Sequence, residues 1–325
     1  MSDAVLQVDQ LNVGFQTAGG YVNVLHDVSF SVGEQETLGI LGESGVGKSV
    51  LADALLGLVP SPPGRVTGRV LYRGRDLNAL SEAELTKIRG KDIAMIFQDP
   101  TSALNPVFRV GVQVAEPLEI HQHVGRRGAL AKVVDLFRRV GIPDPQARVA
   151  SYPHQFSGGM RQRVVISMGV ACQPRLLVAD EPTSSLDVTI QAQILELIQD
   201  LVRELRTTVI YISNDLAVIS HMCQRVLILY AGQVVEEGPV DVVFREPKHP
   251  YTRGLLGAVP RLGARRLDPI PGQLPTLSEY VPGCRFYPRC PLPEKDEGCA
   301  RLRPPLEPEA AAHRAACWKE HARAG

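Results

Sequence analysis

The 325-residue chain carries no net charge, because 35 Lys and Arg face 35 Asp and Glu. Without a basic excess there is no global field for gripping nucleic acid or anionic lipid, which argues against non-specific DNA binding. Long apolar runs are also missing. None approaches the roughly 18 uninterrupted apolar residues of a membrane helix. The first ten residues, MSDAVLQVDQ, lack the basic-then-apolar order of a signal peptide, so a cytosolic chain is expected. What is present is 44% hydrophobic residues, enough to fill one large domain or two ordinary ones. Cysteine and proline are unevenly spread. Cys172 and Cys223 stand alone, Cys284, Cys290, Cys299 and Cys317 crowd the last 42 residues, and 11 of the 25 prolines fall between Pro260 and Pro308. A domain boundary is expected near residue 245, giving domains 1–244 and 245–325.

Apolar patterning predicts strands over 5–13 and 24–32, a buried strand in ETLGILG ending at Gly42, and a helix over 49–59 that stops at Pro60. A strand, a short helix over SEAELTKIR and the strand DIAMIFQ follow, then mostly helix over 101–170. RLLVADE reads as a buried strand, QAQILELIQDLVREL as an amphipathic helix, TTVIYISND as a strand, LAVISHMC as a helix and RVLILYAGQVVEEG as a terminal hairpin. This alternation implies an α/β fold with a mainly parallel sheet.

Residues 42–49, GESGVGKS, satisfy G-x-x-x-x-G-K-[ST] between a predicted strand and a predicted helix, the context that separates a phosphate-binding loop from a chance glycine turn. Gly45 and Gly47 let backbone amides point inward. Lys48 supplies a charge for the β and γ phosphates, Ser49 a hydroxyl for Mg²⁺, and the helix start a partial positive charge. LLVADE ends in two carboxylates with different expected roles: Asp180 in the Mg²⁺ shell and Glu181 polarising the attacking water. Between these motifs, FSGGMRQR places Ser157, Gly158 and Gly159 before a helix, a second anion site whose phosphate must belong to ATP held by another chain.

These motifs resemble those of the ATP-binding cassette ATPases over about residues 5–240. GESGVGKS looks like the Walker A motif, LLVADE like Walker B and FSGGM like a variant of the signature. Gln98 in IFQDP fits the Q-loop, and SSLD, ending at Asp187, fits the D-loop. The resemblance implies a P-loop core with a helical subdomain over about 101–170. It implies a nucleotide held by Gly42, Glu43, Ser44, Gly45, Val46, Gly47, Lys48, Ser49 and Val50, with Phe15 or Tyr21 stacking on adenine. Ser49, Gln98 and Asp180 would serve Mg²⁺, Ser157, Gly158 and Gly159 would cover the ATP of a partner, and Gln98, Asp180 and Asp187 would also be nucleotide-binding residues. QDPTSALNPVFRVGVQVAEPL, SYPHQFSGGMRQR and KHPYTRGLL are similar to the peptide and nickel importer branch, whose ATPase carries a C-terminal extension after H-P-Y-T.

One position departs from the family pattern. In YISND the switch histidine is replaced by Asn214, either natively or by engineering. An asparagine amide donates a hydrogen bond but carries no proton, so a site that binds ATP yet hydrolyses it poorly is expected. His221 lies seven residues on, roughly 10 Å along a helix, too far to substitute.

The four clustered cysteines are spaced C-x5-C-x8-C-x17-C, without the C-x2-C pairs of ordinary zinc fingers. Cys290 followed by Pro291 resembles ferredoxin usage, and similar tails in the importer branch can hold a four-iron cluster. An iron–sulfur cluster, a zinc ion and unliganded thiols all stand as readings. The tail itself is expected to bury little and to lie outside the nucleotide motifs. The function expected is that of an ATPase subunit at the cytoplasmic face of an inner membrane. It would work with a second ATPase, two permease subunits and an external solute-binding protein to import peptides, nickel chelates, glutathione or a related solute. A soluble cassette ATPase acting on nucleic acid or the ribosome is the rival reading.

Overall fold

The computed structural model describes residues 4–259, 270–307 and 311–324. Its strands in chain order are β1 (Ala4–Thr17), β2 (Gly20–Gly33), β3 (Thr37–Leu41), β4 (Gly64–Tyr72), β5 (Arg75–Asp76), β6 (Ile93–Ile96), β7 (Leu176–Asp180), β8 (Thr208–Ser213), β9 (Arg225–Tyr230), β10 (Gln233–Pro239) and β11 (Arg314–Ala315). The chain divides into two compact units.

The first unit contains residues 32–36 and 79–211. Its strands β6 and β7 run parallel, with Ile93 opposite Leu176 and Ile96 opposite Ala179. Every residue of β6 and β7 is buried, the signature of a strand covered on both faces. The predicted helical stretch is here, as helices Pro100–Ala103, Val110–Gln122, Arg126–Arg139, Pro145–Arg148 and Gly158–Val170. Helix Arg126–Arg139 shows why the sequence folds this way: Ala129, Val133 and Phe137 recur every four residues and are its buried face. Helix Val188–Leu205 buries Ile194, Leu195, Ile198 and Leu201 on the same principle.

The second unit contains residues 6–31, 37–78 and 212–325. One of its sheets is antiparallel, in the order β2-β1-β4-β5, with Leu6 opposite Tyr72 and Phe15 opposite Gly64. In the other, β3 is parallel to β9, β9 forms the expected hairpin with β10, and β11 adds to the outer edge of β10. The hairpin turn is Ala231–Gly232, both residues at positive φ (45° and 76°). That geometry matches the twist of paired strands. A Cβ at Gly232 would stand 1.7 Å from the Val24 carbonyl oxygen, so no other residue fits there.

The C-terminal residues correct one expectation. The tail was expected to bury little, yet Phe286, Arg285, Arg289, His313 and Cys317 are buried. Aromatic packing supplies the missing core: Tyr230 and Tyr251 lie 4.5 Å apart between ring centroids, and Phe286 stands edge-on to Tyr230 at 5.1 Å. Glu236 fastens the same region. Its carboxylate accepts from the backbone amides of Lys248 and His249, each at 2.8 Å, and pairs with His313 at 2.7 Å. Pieces of the expected 245–325 domain, residues 260–269, 308–310 and 325, lie outside the described residues.

His249 begins helix Pro250–Gly257, its Nδ1 accepting the Tyr251 amide at 3.1 Å. Burial holds its pKa down at about 4, against the pull of Glu236. The unfolded chain therefore takes up this proton first, and stability falls as pH drops from about 6.5 toward 4. The loss expected from this group alone reaches on the order of 3 kcal/mol. Urea unfolding at pH 7 and pH 5 checks it. His249→Asn, which keeps a capping acceptor without a proton to gain, should show a flatter pH dependence than the unmodified chain. Equal slopes would remove His249 as the cause.

Candidate functional site

The phosphate loop follows β3 in the second unit. Gly42 is fixed by crowding, because a Cβ there would meet the Leu229 carbonyl oxygen at 2.4 Å. Gly45 and Gly47 take φ of 86° and 106°, the left-handed region where glycine carries no steric cost. Helix Lys48–Leu55 starts immediately after Gly47, and no side chain caps it. Its first-turn amides are left to face a ligand, unlike those of helices Gly158–Val170, Val188–Leu205 and Leu216–Met222, capped by Ser157, Asp187 and Asp215. Lys48 is 5% exposed, and its ammonium folds back on the Gly42 and Glu43 carbonyls at 2.9 and 3.0 Å. The charge is held at the loop mouth rather than on a free stem. Ser44 and Ser49 are exposed, Val46 and Gly47 buried, and Val50 half-buried.

Asn214 sits exposed at the bend after β8. Its neighbour Asp215 is anchored on both sides: the amide donates to Ser213 Oγ at 2.9 Å, and the carboxylate accepts from Ala217 and Val218 at 2.8 and 3.4 Å. Phe15 is half-buried with its ring edge beside Gly64, and Tyr21 is exposed over Gly14.

The first unit contains Gln98, Asp180 and Glu181, three of the residues expected to serve hydrolysis. Asp180 ends β7, buried to 4% exposure, and Glu181 follows at φ 41°. A left-handed glutamate costs about 1–3 kcal/mol. A tight turn holds it there, with the Ser184 amide and hydroxyl both donating to the Glu181 carbonyl at 3.2 and 3.1 Å. The Gln98 amide donates to Glu181 Oε2 at 3.1 Å, so the predicted Q-loop residue orients the predicted water-polarising carboxylate. Ser157 accepts the Met160 amide at 3.4 Å, and Asp187 that of Ile190 at 3.0 Å. Gly159 lies so close to helix Val188–Leu205 that a Cβ would meet Ile190 Cγ2 at 2.7 Å. The signature glycine thus sets the approach of two helices as well as exposing amides.

Of the residues expected to serve Mg²⁺, Gln98 and Asp180 belong to the first unit and Ser49 to the second; each carries a hard oxygen, the donor type that Mg²⁺ takes. The cysteines do not offer a finished metal site. Among the described residues, no group of three or more His, Cys, Asp or Glu is placed to hold a metal ion. Cys284, Cys290, Cys299 and Cys317 line one small cavity together with Tyr287 and Trp318. All four are free thiols. Burial pushes Cys284 up to about 12 and raises Cys290 and Cys317 as well, the neighbouring cysteines adding to each shift. Cys223, half-buried beside Gly39, is also pushed up to about 12 by burial.

Sequence reasoning missed three contacts on the phosphate loop. Arg289 pairs with the Glu43 carboxylate, the Tyr251 hydroxyl accepts the Glu43 amide at 2.9 Å, and the Gly232 amide donates to the Val46 carbonyl at 2.8 Å. The H-P-Y-T segment was the one available signal, and it pointed to Tyr251 without saying what it touches.

A loop with a caged lysine ahead of an uncapped helix in one unit, and an oriented carboxylate at a strand end in the other, are the parts of a phosphoryl-transfer ATPase. Comparison with known proteins agrees. The ABC transporter family profile matches residues 25–184, and that of the oligopeptide/dipeptide transporter C-terminal region matches residues 235–299. The dipeptide transport ATP-binding protein DppD of Bacillus subtilis is 46% identical over 325 residues, spanning 99% of this chain and 96% of the relative. The oligopeptide transport ATP-binding protein OppD of Escherichia coli is 46% identical over 98% of this chain and 94% of its own. Among solved structures, the post-hydrolysis dimer of the ATP-binding cassette MJ0796 bound to ADP and Pi superposes with a TM-score of 0.65 at 25% identity. It covers 72% of this chain and 98% of that one. The chain belongs to the ABC transporter family as an ATP-binding subunit, and it is an ATPase.

Lys48→Ala should abolish MgATP binding, because the lysine charge and the loop amides together offset phosphate desolvation. Glu181→Gln should leave binding intact and stop turnover. Equilibrium binding of MgATP to both variants checks this, and unchanged affinity in Lys48→Ala would contradict the assignment.

Proposed function

We propose that this chain energises the import of peptides or a related small solute. The observation that carries the reading is the C-terminal region matched over 235–299, which packs through Tyr251 and Arg289 onto the phosphate loop itself. In this reading two ATPase chains close around two ATP molecules. Lys48 holds one ATP on this chain, while Ser157, Gly158 and Gly159 cover the partner's. Two permease subunits receive the motion, an external solute-binding protein delivers the peptide, and the ATPase lies peripherally at the inner membrane face. No helix among the described residues is long and apolar enough to cross a membrane, so spanning falls to the permeases. The exposed Val107 and Phe108 in the helical region are suited to cover by such a partner.

The chain's own ATP site binds well and turns over slowly. Lys48 and the loop amides supply affinity, Glu181 oriented by Gln98 polarises water, and Asn214 supplies a hydrogen bond where the family supplies an imidazole. Binding and chemistry are thereby separated, and ATP persists at this site. The four cysteines are the residues that would hold an iron–sulfur cluster: all four line one cavity as free thiols, and such a group would supply the positive charge that buried thiolates require.

The test is the assembled complex. Peptide-stimulated ATPase activity, dependent on the permeases, is the expected result, and nucleic-acid stimulation without them would overturn it. Asn214→His should speed hydrolysis at this site roughly 10²-fold or more with little change in ATP affinity, the size of one positioned transition-state group. Per-site turnover counting checks this, and an equally fast unmodified site would remove Asn214 as the handicap.

A further inference from the structure

The phosphate loop is held from outside at two points. Glu43 is the first. Arg289 Nη1 donates to its Oε2 at 2.8 Å and Nη2 to its Oε1 at 3.2 Å, a bidentate pair in which the arginine side chain is 5% and the glutamate 32% exposed. Arg289 Nε donates to the Pro271 carbonyl at 2.9 Å, so the third edge of the guanidinium is committed too. The Glu43 backbone is fixed independently, by its amide bond to the Tyr251 hydroxyl. Val46 is the second point. Its carbonyl accepts the Gly232 amide, and the adjoining Ala231 carbonyl accepts from buried Arg285.

Between these points stand exposed Ser44 and Gly45, the stretch free to wrap a phosphate. Such a loop has two problems. Its glycines give it freedom that must be lost on binding, and Glu43 places a negative charge inside an anion site. Arg289 answers both, because the planar fork fixes the carboxylate in one orientation and neutralises it. A contact serving only to fasten the tail has no need of a charged partner within the phosphate loop.

We propose that Arg289 is a positioning residue for the nucleotide site, holding Glu43 neutralised and in place so that the loop receives MgATP pre-ordered. The proposal rests on the ATPase reading. Losing Arg289 raises the KM for ATP and leaves kcat nearly unchanged, because the contact is made equally before and during phosphoryl transfer.

The experiment measures MgATP affinity and steady-state kinetics of the full chain in its complex, with Arg289→Ala, Arg289→Lys and Arg289→Ala combined with Glu43→Gln. Arg289→Ala should weaken MgATP about tenfold, the size of one lost charge-assisted contact. Arg289→Lys, which keeps the charge but not the fork, should weaken it severalfold less. Adding Glu43→Gln to Arg289→Ala should recover much of the loss, since the uncompensated carboxylate is gone. A merely structural arginine would show no such rescue, and that result overturns the proposal, as does wild-type affinity in folded Arg289→Ala. Should Arg289→Ala fail to fold, Arg289→Lys decides alone: an unchanged KM overturns the proposal and a raised KM with unchanged kcat supports it. Lys48→Ala separates the two claims. If it binds MgATP normally, the ATPase reading and this proposal fall together, whereas loss in Lys48→Ala without loss in Arg289→Ala overturns only the role of Arg289.

Discussion

A loop that is to receive a polyphosphate must keep several backbone amides pointing one way with no side chain of its own to satisfy them. The interior of a helix or sheet cannot provide this, because its ladders consume the same amides. The chain meets the constraint by crowding and by grip. Gly42 lies where a Cβ would strike the Leu229 carbonyl of β9 and Gly232 where one would strike the Val24 carbonyl of β2, and the Gly232 amide bonds the Val46 carbonyl directly. Lys48 then closes on the carbonyls at the loop's first turn instead of ranging through solvent. The uncapped helix start completes a cradle whose ordering is largely settled before a ligand arrives.

The chemical half uses a different device. Glu181 sits in a left-handed conformation that a helix or strand would not tolerate, and the turn through Ser184 keeps it there. Gln98 reaches the same carboxylate, so a rearrangement of the segment around Gln98 is felt by the group proposed to polarise water. In the ATPase reading, affinity and chemistry answer to separate residues. A substitution at Asn214 can then slow one without weakening the other.

Local patterns were legible in the sequence. The strand, loop and helix around residues 42–55, the buried strand ending in Asp180 and the helices over 160–168, 191–205 and 216–223 all rest on residues close in sequence, and all are found. The tail was read less well, for a physical reason. Expected to lie outside the nucleotide motifs, it touches them through Arg289 and Glu43, which are 246 positions apart. An arginine among prolines and cysteines has no spacing that points to a distant glutamate, and its burial depends on an aromatic cluster assembled from Tyr230, Tyr251 and Phe286, three separate segments. The cysteines show the converse. Crowded in sequence, they line one cavity in the fold, but spacing alone gives no ligand geometry, and among the described residues no group of three or more His, Cys, Asp or Glu is placed to hold a metal ion.

The most direct measurement is amide hydrogen exchange on the full chain, followed residue by residue with and without MgATP. The Glu43 amide, bonded to Tyr251, should be protected before nucleotide is added, and MgATP should slow exchange in the loop and in residues 284–290 together. Fast exchange at Glu43, or nucleotide protection confined to the loop while residues 284–290 stay unchanged, would contradict a phosphate loop built jointly with the C-terminal region.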